Sequence, residues 1–193
     1  MILVIGGASR KIGKTSVGAG IVRELASFGW GAVKITHHAE HGASLEEERA
    51  PAANDSGRYL AAGARQSWVL RCTDAAMAEA KRMVEPLLAM QPNTIIESNR
   101  IVEHIEFDLY LLVVDPASPP LKESARRLLD RAGAFVLVNR AEAGEWLPAE
   151  TPRFTAAAPG YASPDLTRFV RSRLWPPGER PQPAGAPHGS SPR

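Results

Sequence analysis

The chain has 193 residues, enough for one α/β domain with a hydrophobic core and too few for two well-buried domains. Its 44% hydrophobic and 23% charged residues are typical of an ordinary globular protein, and its net charge of +2 gives no electrostatic case for nucleic acid or a membrane as partner. The single cysteine, Cys72, excludes an internal disulfide. Because the sequence also shows no signal peptide or membrane span, we expect a cytoplasmic protein with a buried or inert thiol.

Short apolar runs alternate with helical patterns along the chain. In order, the pattern predicts a strand at 2–5, a helix at 14–28, a strand at 32–36, a helix at 55–63, a strand at 66–71 and a helix at 74–90. Further strands are predicted at 94–97, 109–114 and 134–139, with a helix at 121–132 between the last two. This alternation predicts an α/β fold with a mostly parallel sheet and helices on both faces.

Two segments lack these patterns. Residues 39–54 are polar and are predicted to form a long loop, which in a compact domain is typically functional or mobile. Residues 175–193 are rich in Pro, Gly and Ser and are predicted to form a disordered tail, so that the domain comprises 1–174.

A glycine-rich loop follows the first predicted strand, and its sequence from Gly6 to Ser16 is GGASRKIGKTS. Glycines allow a loop to wrap around phosphate oxygens with its N–H groups pointing inward, and the next helix adds its positive dipole. We expect Lys14 to reach the β- and γ-phosphates and Thr15 to bind Mg²⁺. These features predict a Walker A motif in a P-loop NTPase three-layer sandwich. The residues expected to contact the nucleotide are Gly7, Ser9, Arg10, Lys11, Ile12, Gly13, Lys14, Thr15 and Ser16.

The spacing of the loop departs from the standard motif, in which a glycine stands six positions before the lysine. Here Ala8 holds that position and Gly7 precedes it, so the loop is one residue longer. Arg10 and Lys11 lie inside the loop, and their sequence fits either phosphate contact or solvation.

Three charged residues outside the loop are candidates for the same site. Lys34 lies at the end of a predicted strand and Glu97 ends another, at the sheet edge where open α/β proteins bind ligands. Lys34 could balance phosphate charge, and Glu97 could orient a metal ion, although exposed strand-end residues would give the same pattern. Asp55 begins a predicted helix and is explained equally well as a helix cap.

The sequence resembles known P-loop families. The longer loop around Gly13, Lys14 and Thr15 is similar to that of dethiobiotin synthetase and the cobyrinic acid amidases. A closer resemblance, over roughly residues 1–140, is to the molybdopterin-guanine dinucleotide biosynthesis protein B family. The shared features are the P-loop, a strand ending in Lys34 and followed by histidines, the run DSGRYLAAGA from Asp55, and Glu97 at the end of a later strand.

The resemblance implies roles for these residues. Lys14, Lys34 and Glu97 would be catalytic, and Thr15, Asp55 and Glu97 would hold Mg²⁺ or its waters. It also implies GTP binding with slow hydrolysis, a homodimer and a cofactor-maturation partner protein, with ATP as the other candidate nucleotide. The family has Glu-Gly where this chain has Glu97-Ser98-Asn99, so the adjacent substrate pocket need not have the family's shape.

Residues 139–142 read NRAE and resemble the guanine-reading Asn-Lys-x-Asp motif of GTPases. Glu142 could accept two N–H bonds from guanine, Asn139 could meet the purine edge and Arg140 could lie flat over the base. We expect base recognition here, although an ordinary strand-to-helix turn would have a similar sequence.

Three histidines, His37, His38 and His41, lie close together in the sequence. Their spacing alone supplies no metal geometry, so we expect solvated loop histidines rather than zinc ligands.

Three functions are compatible with the sequence. The first is a GTP-binding accessory protein of molybdenum cofactor biosynthesis, and the second is an ATP-dependent small-molecule ligase or kinase of the dethiobiotin synthetase type. The third is a nucleotide-switched metal or cofactor chaperone in which segment 39–54 orders when nucleotide binds.

Overall fold

The computed structural model describes residues 1–37, 39, 41–116, 123–138 and 146–176, apart from the side chain of Ser124. Within these residues, eight strands form one sheet and five α-helices accompany it. The strands are β1 (Ile2–Gly7), β2 (Trp30–Thr36), β3 (Ala43–Glu48), β4 (Gln66–Cys72), β5 (Asn93–Glu97), β6 (Leu109–Val114), β7 (Ala134–Leu137) and β8 (Arg153–Thr155). The helices are α1 (Lys14–Glu24), α2 (Asp55–Ala61), α3 (Met77–Met90), α4 (Glu123–Arg126) and α5 (Pro164–Leu174).

The sheet has the order β3-β4-β2-β5-β1-β6-β7-β8. All neighbouring strands are parallel except β3 and β4, which are antiparallel. The central strands β1 and β6 are buried almost throughout, which explains why their sequences are continuous apolar runs without alternation. The predicted α/β class with a mostly parallel sheet is therefore confirmed.

The direction of the chain across the sheet places helices on both faces. From β1 through β2 to β4 the chain moves one way, and from β4 through β5, β6 and β7 it moves the other way. Because crossovers between parallel strands are right-handed, α1 and α2 lie on one face, and α3 and α4 lie on the opposite face. The neighbouring strands β1 and β5 are followed by connections that run in opposite directions, to β2 and to β6. The carboxyl end of β1 therefore lies at the crevice where open α/β sheets bind ligands.

The predicted long loop at 39–54 is wrong, because residues 43–48 form strand β3 at the edge of the sheet. Its sequence, ASLEEE, resembles a polar loop because an edge strand exposes much of its surface. Cross-strand pairs with β4 stabilise it: Arg71 donates to Glu46 at 2.8 Å and Gln66 donates to Glu47 at 2.9 Å.

Several other boundaries also differ from prediction. Helix α1 ends at Glu24 and a 3-10 turn follows at Ala26–Phe28, while the predicted helix at 121–132 contains only α4 and a 3-10 turn at Leu129–Arg131 among the described residues. Strand β8 and helix α5 were not predicted.

The predicted tail also begins too early. Trp175 stacks on Phe28, with 3.9 Å between ring centroids, and contacts Trp30 edge-on at 5.7 Å. Packing of the partly buried Phe28 and Trp175 rings against the buried Trp30 holds the end of α5 on the α1 face. Residues 177–193, the remainder of the predicted tail, lie outside the described residues.

Candidate functional site

The segment 7–16, here called the glycine loop, connects β1 to α1 at the carboxyl edge of the sheet. It starts in register with β6, because the Ala8 amide donates to the carbonyl of Val113 at 2.9 Å. It then turns through two residues with positive φ, Lys11 at 57° and Gly13 at 97°. Gly13 is the N-cap of α1, so the free amide groups of the helix start lie at the end of the loop.

Asn99 fixes the beginning of the glycine loop. Its side-chain carbonyl accepts a hydrogen bond from the Gly7 amide at 2.7 Å, and its side-chain amide donates to the Gly7 carbonyl at 3.0 Å. The last main-chain hydrogen bond between β1 and the end of β5 runs from the Ser98 amide to the Ile5 carbonyl. The side chain of Asn99 makes the next two bonds, to Gly7, in place of main-chain groups. The Ser98 hydroxyl supports this turn by accepting from the Arg100 amide at 3.1 Å. The segment Glu97-Ser98-Asn99 thus holds the beginning of the glycine loop in place.

Gly7 also allows the Lys14 side chain to fold back over the loop. A Cβ atom at Gly7 would lie 2.7 Å from Lys14 Cδ, closer than side chains can approach. The aliphatic part of the Lys14 side chain therefore passes directly over Gly7, and Lys14 lines the cleft described below.

Lys34, Asp55 and Glu97 converge at the end of the glycine loop. The Lys34 ammonium donates to Glu97 Oε1 at 2.9 Å and also to the Asp55 carboxylate. Thr15, the second residue of α1, donates its hydroxyl to the other Glu97 oxygen at 2.7 Å. Strand pairing produces this arrangement, since Lys34 of β2 lies directly beside Glu97 of β5 in the register.

Burial and charge determine the protonation of this cluster. Burial disfavours the charged form of Lys34, but the carboxylates of Glu97 and Asp55 outweigh burial and raise the pKa of Lys34 above 10.5. Burial also opposes ionisation of Asp55, but the hydrogen bond and the charge of the Lys34 ammonium lower its pKa below 3.8. Lys34 and Asp55 are therefore both charged at neutral pH, and the ammonium stabilises a carboxylate on each side.

Asp55 is not the cap of helix α2, so that interpretation of its position is wrong. Asn54 is the N-cap, and its side-chain oxygen accepts a hydrogen bond from the Gly57 amide at 2.7 Å. Asp55 is the first residue of the helix and is free to bond to Lys34.

Tyr59 supports Glu97 from behind. Its hydroxyl donates to Glu97 Oε2 at 3.3 Å, and its ring is buried against α1. Burial, together with the Glu97 charge, raises the pKa of Tyr59 well above 10.0, so the hydroxyl remains a donor. The close approach requires Gly18, because a Cβ atom there would lie 2.4 Å from the Tyr59 hydroxyl oxygen.

A cleft of about 500 Å³ opens between the glycine loop, the end of β2, Asp55 and the segment 97–100. Of the four lysines in the described part of the chain, Lys11, Lys14 and Lys34 line it and Lys81 does not. Arg10 lines it too, and both Arg10 and Lys11 are exposed. The charge of this surface suits an anionic ligand.

A second cavity of about 290 Å³, here called the inner cavity, adjoins the cleft. It is lined by residues 11–16 together with Lys34, Asp55, Arg58 and Glu97. Every predicted residue of the glycine loop therefore lines the cleft or the inner cavity except Ser9, whose hydroxyl donates to the Arg10 carbonyl at 3.4 Å.

Thr15, Asp55 and Glu97 bring oxygen atoms to this cluster. Thr15 donates to Glu97 Oε2, and the Lys34 ammonium bridges Glu97 Oε1 and the Asp55 carboxylate. Mg²⁺ prefers such oxygen ligands and commonly takes the rest of its shell from water and phosphate. In the described ranges, no group of three or more His, Cys, Asp or Glu side chains is placed to hold a metal ion.

Of the three histidines, His37 lines the cleft, and its Nδ1 atom lies 3.7 Å from Asp74. His41 is exposed, and His38 lies outside the described residues. Asn139, Arg140 and Glu142, the predicted base-reading residues, also lie outside them.

Four residues that support the site were not predicted to belong to it: Gly18, Arg58, Tyr59 and Asn99. Arg58, Tyr59 and Asn99 contact residues that are distant in sequence, and Gly18 matters only because Tyr59 packs against it. One signal was available, since glycines at 18 and 20 inside a helix each cost about 1 kcal/mol and indicate close packing.

Comparisons of the chain with protein-family models, with curated proteins and with solved structures found no match. Among the described residues, no helix is both long enough and apolar enough to span a bilayer.

Proposed function

We propose that the protein binds a nucleoside triphosphate with Mg²⁺ at the glycine loop and hydrolyses it slowly. The observation that carries this proposal is the convergence of Thr15, Lys34, Asp55 and Glu97 beside Lys14 at the carboxyl end of β1. A loop with inward amides, a lysine and a hydroxyl followed by a helix is the arrangement that binds phosphate chains.

Each residue has a defined task in this proposal. Lys14 and Lys34 balance the charge of the β- and γ-phosphates, and Thr15, Asp55 and Glu97 hold the metal ion or its waters. Mg²⁺, when bound, neutralises charge that develops on the phosphoryl oxygens. The two carboxylates that pair with Lys34 hold its ammonium group in place for contact with a phosphate.

The resemblance to molybdopterin-guanine dinucleotide biosynthesis protein B favours GTP and an accessory function in cofactor maturation. Under this proposal the protein acts as a homodimer with a maturation enzyme as its partner. Base selection would depend on Asn139, Arg140 and Glu142, and the sequence of these residues is the support for guanine.

A second candidate is an ATP-dependent phosphorylation of a small molecule, as in dethiobiotin synthetase. The shape of the cleft favours this second candidate, because the cleft extends beyond Lys34 and is lined there by Thr36, His37 and the segment 98–100. This part of the cleft could hold a phosphoryl acceptor beside the γ-phosphate.

The test is a titration of GTP and ATP, each with Mg²⁺ and with EDTA, by isothermal calorimetry. Wild-type protein is expected to bind in a Mg²⁺-dependent manner, and Lys14→Ala is expected to lose most of this affinity. Lys81→Ala is the matched control, because Lys81 is a lysine outside the cleft. If neither nucleotide binds to wild-type protein, the proposal is wrong, and a strong preference for ATP would favour the second candidate.

A further inference from the structure

Arg58 links helix α2 to the beginning of α1. Its Nη2 atom donates to the Ser16 hydroxyl oxygen at 2.8 Å. The contact depends on the close packing of α1 on α2 that Gly18 permits two residues further along α1. Arg58 is thereby held beside the end of the glycine loop.

The guanidinium of Arg58 has N–H donors that could contact a ligand. Asp55, the nearest acid in the sequence, forms an ion pair with Lys34, and the charge of Arg58 attracts the same carboxylate without direct contact. Within the described ranges, no carboxylate forms an ion pair with Arg58. A guanidinium has five N–H donors, and the bond to Ser16 uses one of them. Since Ser16 accepts from Arg58, its own O–H remains a donor for an anion.

Ser16 and Arg58 lie where two cavities meet. Both residues line the inner cavity, which reaches Lys14, Lys34 and Glu97 at its other end. Both also line a groove of about 150 Å³, which runs past Arg23 to the segment 159–161. A ligand that extends from the Lys34 end into this groove would pass Arg58.

We propose that Arg58 binds the α-phosphate of the nucleotide, an inference that rests on the proposed function. Thr15 contacts Glu97, whereas the next residue, Ser16, contacts Arg58. The two side chains therefore lie on different sides of the start of α1. If the β- and γ-phosphates lie by Lys14, Thr15 and Lys34, the third phosphate reaches Ser16. The planar fork of arginine suits two oxygens of one phosphate, and the nucleoside continues into the groove.

The test compares mono-, di- and triphosphates of the nucleoside that wild-type protein binds. Arg58→Met keeps much of the side-chain stem and removes the charge. Because all three ligands contain the α-phosphate, Arg58→Met is expected to weaken each by a similar factor, about tenfold or more. Lys14→Met is expected to weaken the di- and triphosphate and to leave the monophosphate nearly unchanged. Competition against a fluorescent nucleoside diphosphate allows weak monophosphate binding to be measured.

Two further variants separate binding from folding. Arg58→Lys keeps the charge without the fork and is expected to recover part of the affinity. Arg168→Met is the matched control, since Arg168 pairs with Asp165 on the exposed side of α5. Its affinities are expected to equal those of wild type.

Two outcomes would overturn the inference. They are an Arg58→Met protein that binds with wild-type affinities, whether or not its melting temperature falls, and a loss of affinity confined to the triphosphate. Failure of wild-type protein to bind any nucleotide would instead contradict the proposed function, so the two failures are distinguishable.

Discussion

Replacing Lys34 by methionine tests whether its ammonium group holds the two carboxylates of the site together. The substitution keeps the side-chain length and removes the charge between Asp55 and Glu97. Because Glu97 is only 3% exposed, its carboxylate would remain buried without the cation that now contacts it. The hydroxyls of Thr15 and Tyr59 would still donate to it, but they carry no charge.

The expected cost follows from burial. Removing one partner of a buried ion pair costs about 3–5 kcal/mol. Lys34 lies on the wall of an open cleft with 18% of its side chain exposed, so water can partly solvate the carboxylate, and we expect about 3 kcal/mol. In a chain of this size, about 1 kcal/mol shifts the melting temperature by about 2–4 °C, so Lys34→Met is expected to melt about 6–12 °C below wild type.

The assay is thermal unfolding followed by circular dichroism, with EDTA and without nucleotide. Lys81→Met is the control, because Lys81 is an exposed residue of α3 that pairs with Glu85 at 3.6 Å. A surface pair of this kind contributes less than about 1 kcal/mol, so its removal should shift the melting temperature by only about 2 °C.

A double variant identifies the cause of the loss. Glu97→Gln replaces the buried carboxylate by a neutral amide that needs no cation, so Lys34→Met combined with Glu97→Gln should be more stable than the sum of the two single effects predicts. The reasoning is refuted if Lys34→Met melts like the Lys81→Met control, or if the two single effects are simply additive.

Four other predictions follow from the same contacts. Asn99→Ala removes both hydrogen bonds to the start of the glycine loop and should weaken nucleotide binding about tenfold by calorimetry, whereas an unchanged affinity would show that Asn99 does not position the loop. Gly18→Ala forces the Tyr59 ring away and should cost about 1–3 kcal/mol in urea unfolding, so a fully stable variant would contradict the packing. The lowered pKa of Asp55 gives stability that is present above pH 3.8 and lost as the pH falls through the pKa of the folded state. The difference in melting temperature between wild type and Asp55→Asn should therefore disappear in acid. A difference that persists in acid would argue against the pairing of Asp55 with Lys34. Burial raises the pKa of the Cys72 thiol, which should react with a thiol reagent only in urea, and rapid labelling of the native protein would disprove its burial.

Local sequence was sufficient to predict the central strands and the glycine loop. Apolar runs such as 109–114 are buried on both faces of the sheet. Their apolar composition alone therefore predicts a buried strand, and no distant residue has to be known. The glycine loop is equally local, because positive φ at Gly13 and the helix that begins at Lys14 depend on adjacent residues. The carboxyl-edge positions of Lys34 and Glu97 follow from the order of strands alone.

The sequence did not determine what these residues contact. Lys34 meets Glu97 across 63 positions and Gly7 meets Asn99 across 92, and both pairs form only when the sheet brings β1, β2 and β5 together. Strand β3 was missed for the same reason, since its glutamates are stabilised by partners on β4 rather than by burial. Local sequence therefore determined that a glycine loop follows the first strand, whereas the sheet determined which charged groups and amides meet there. The reason is that side chains distant in sequence can form hydrogen bonds with one another only in the folded chain.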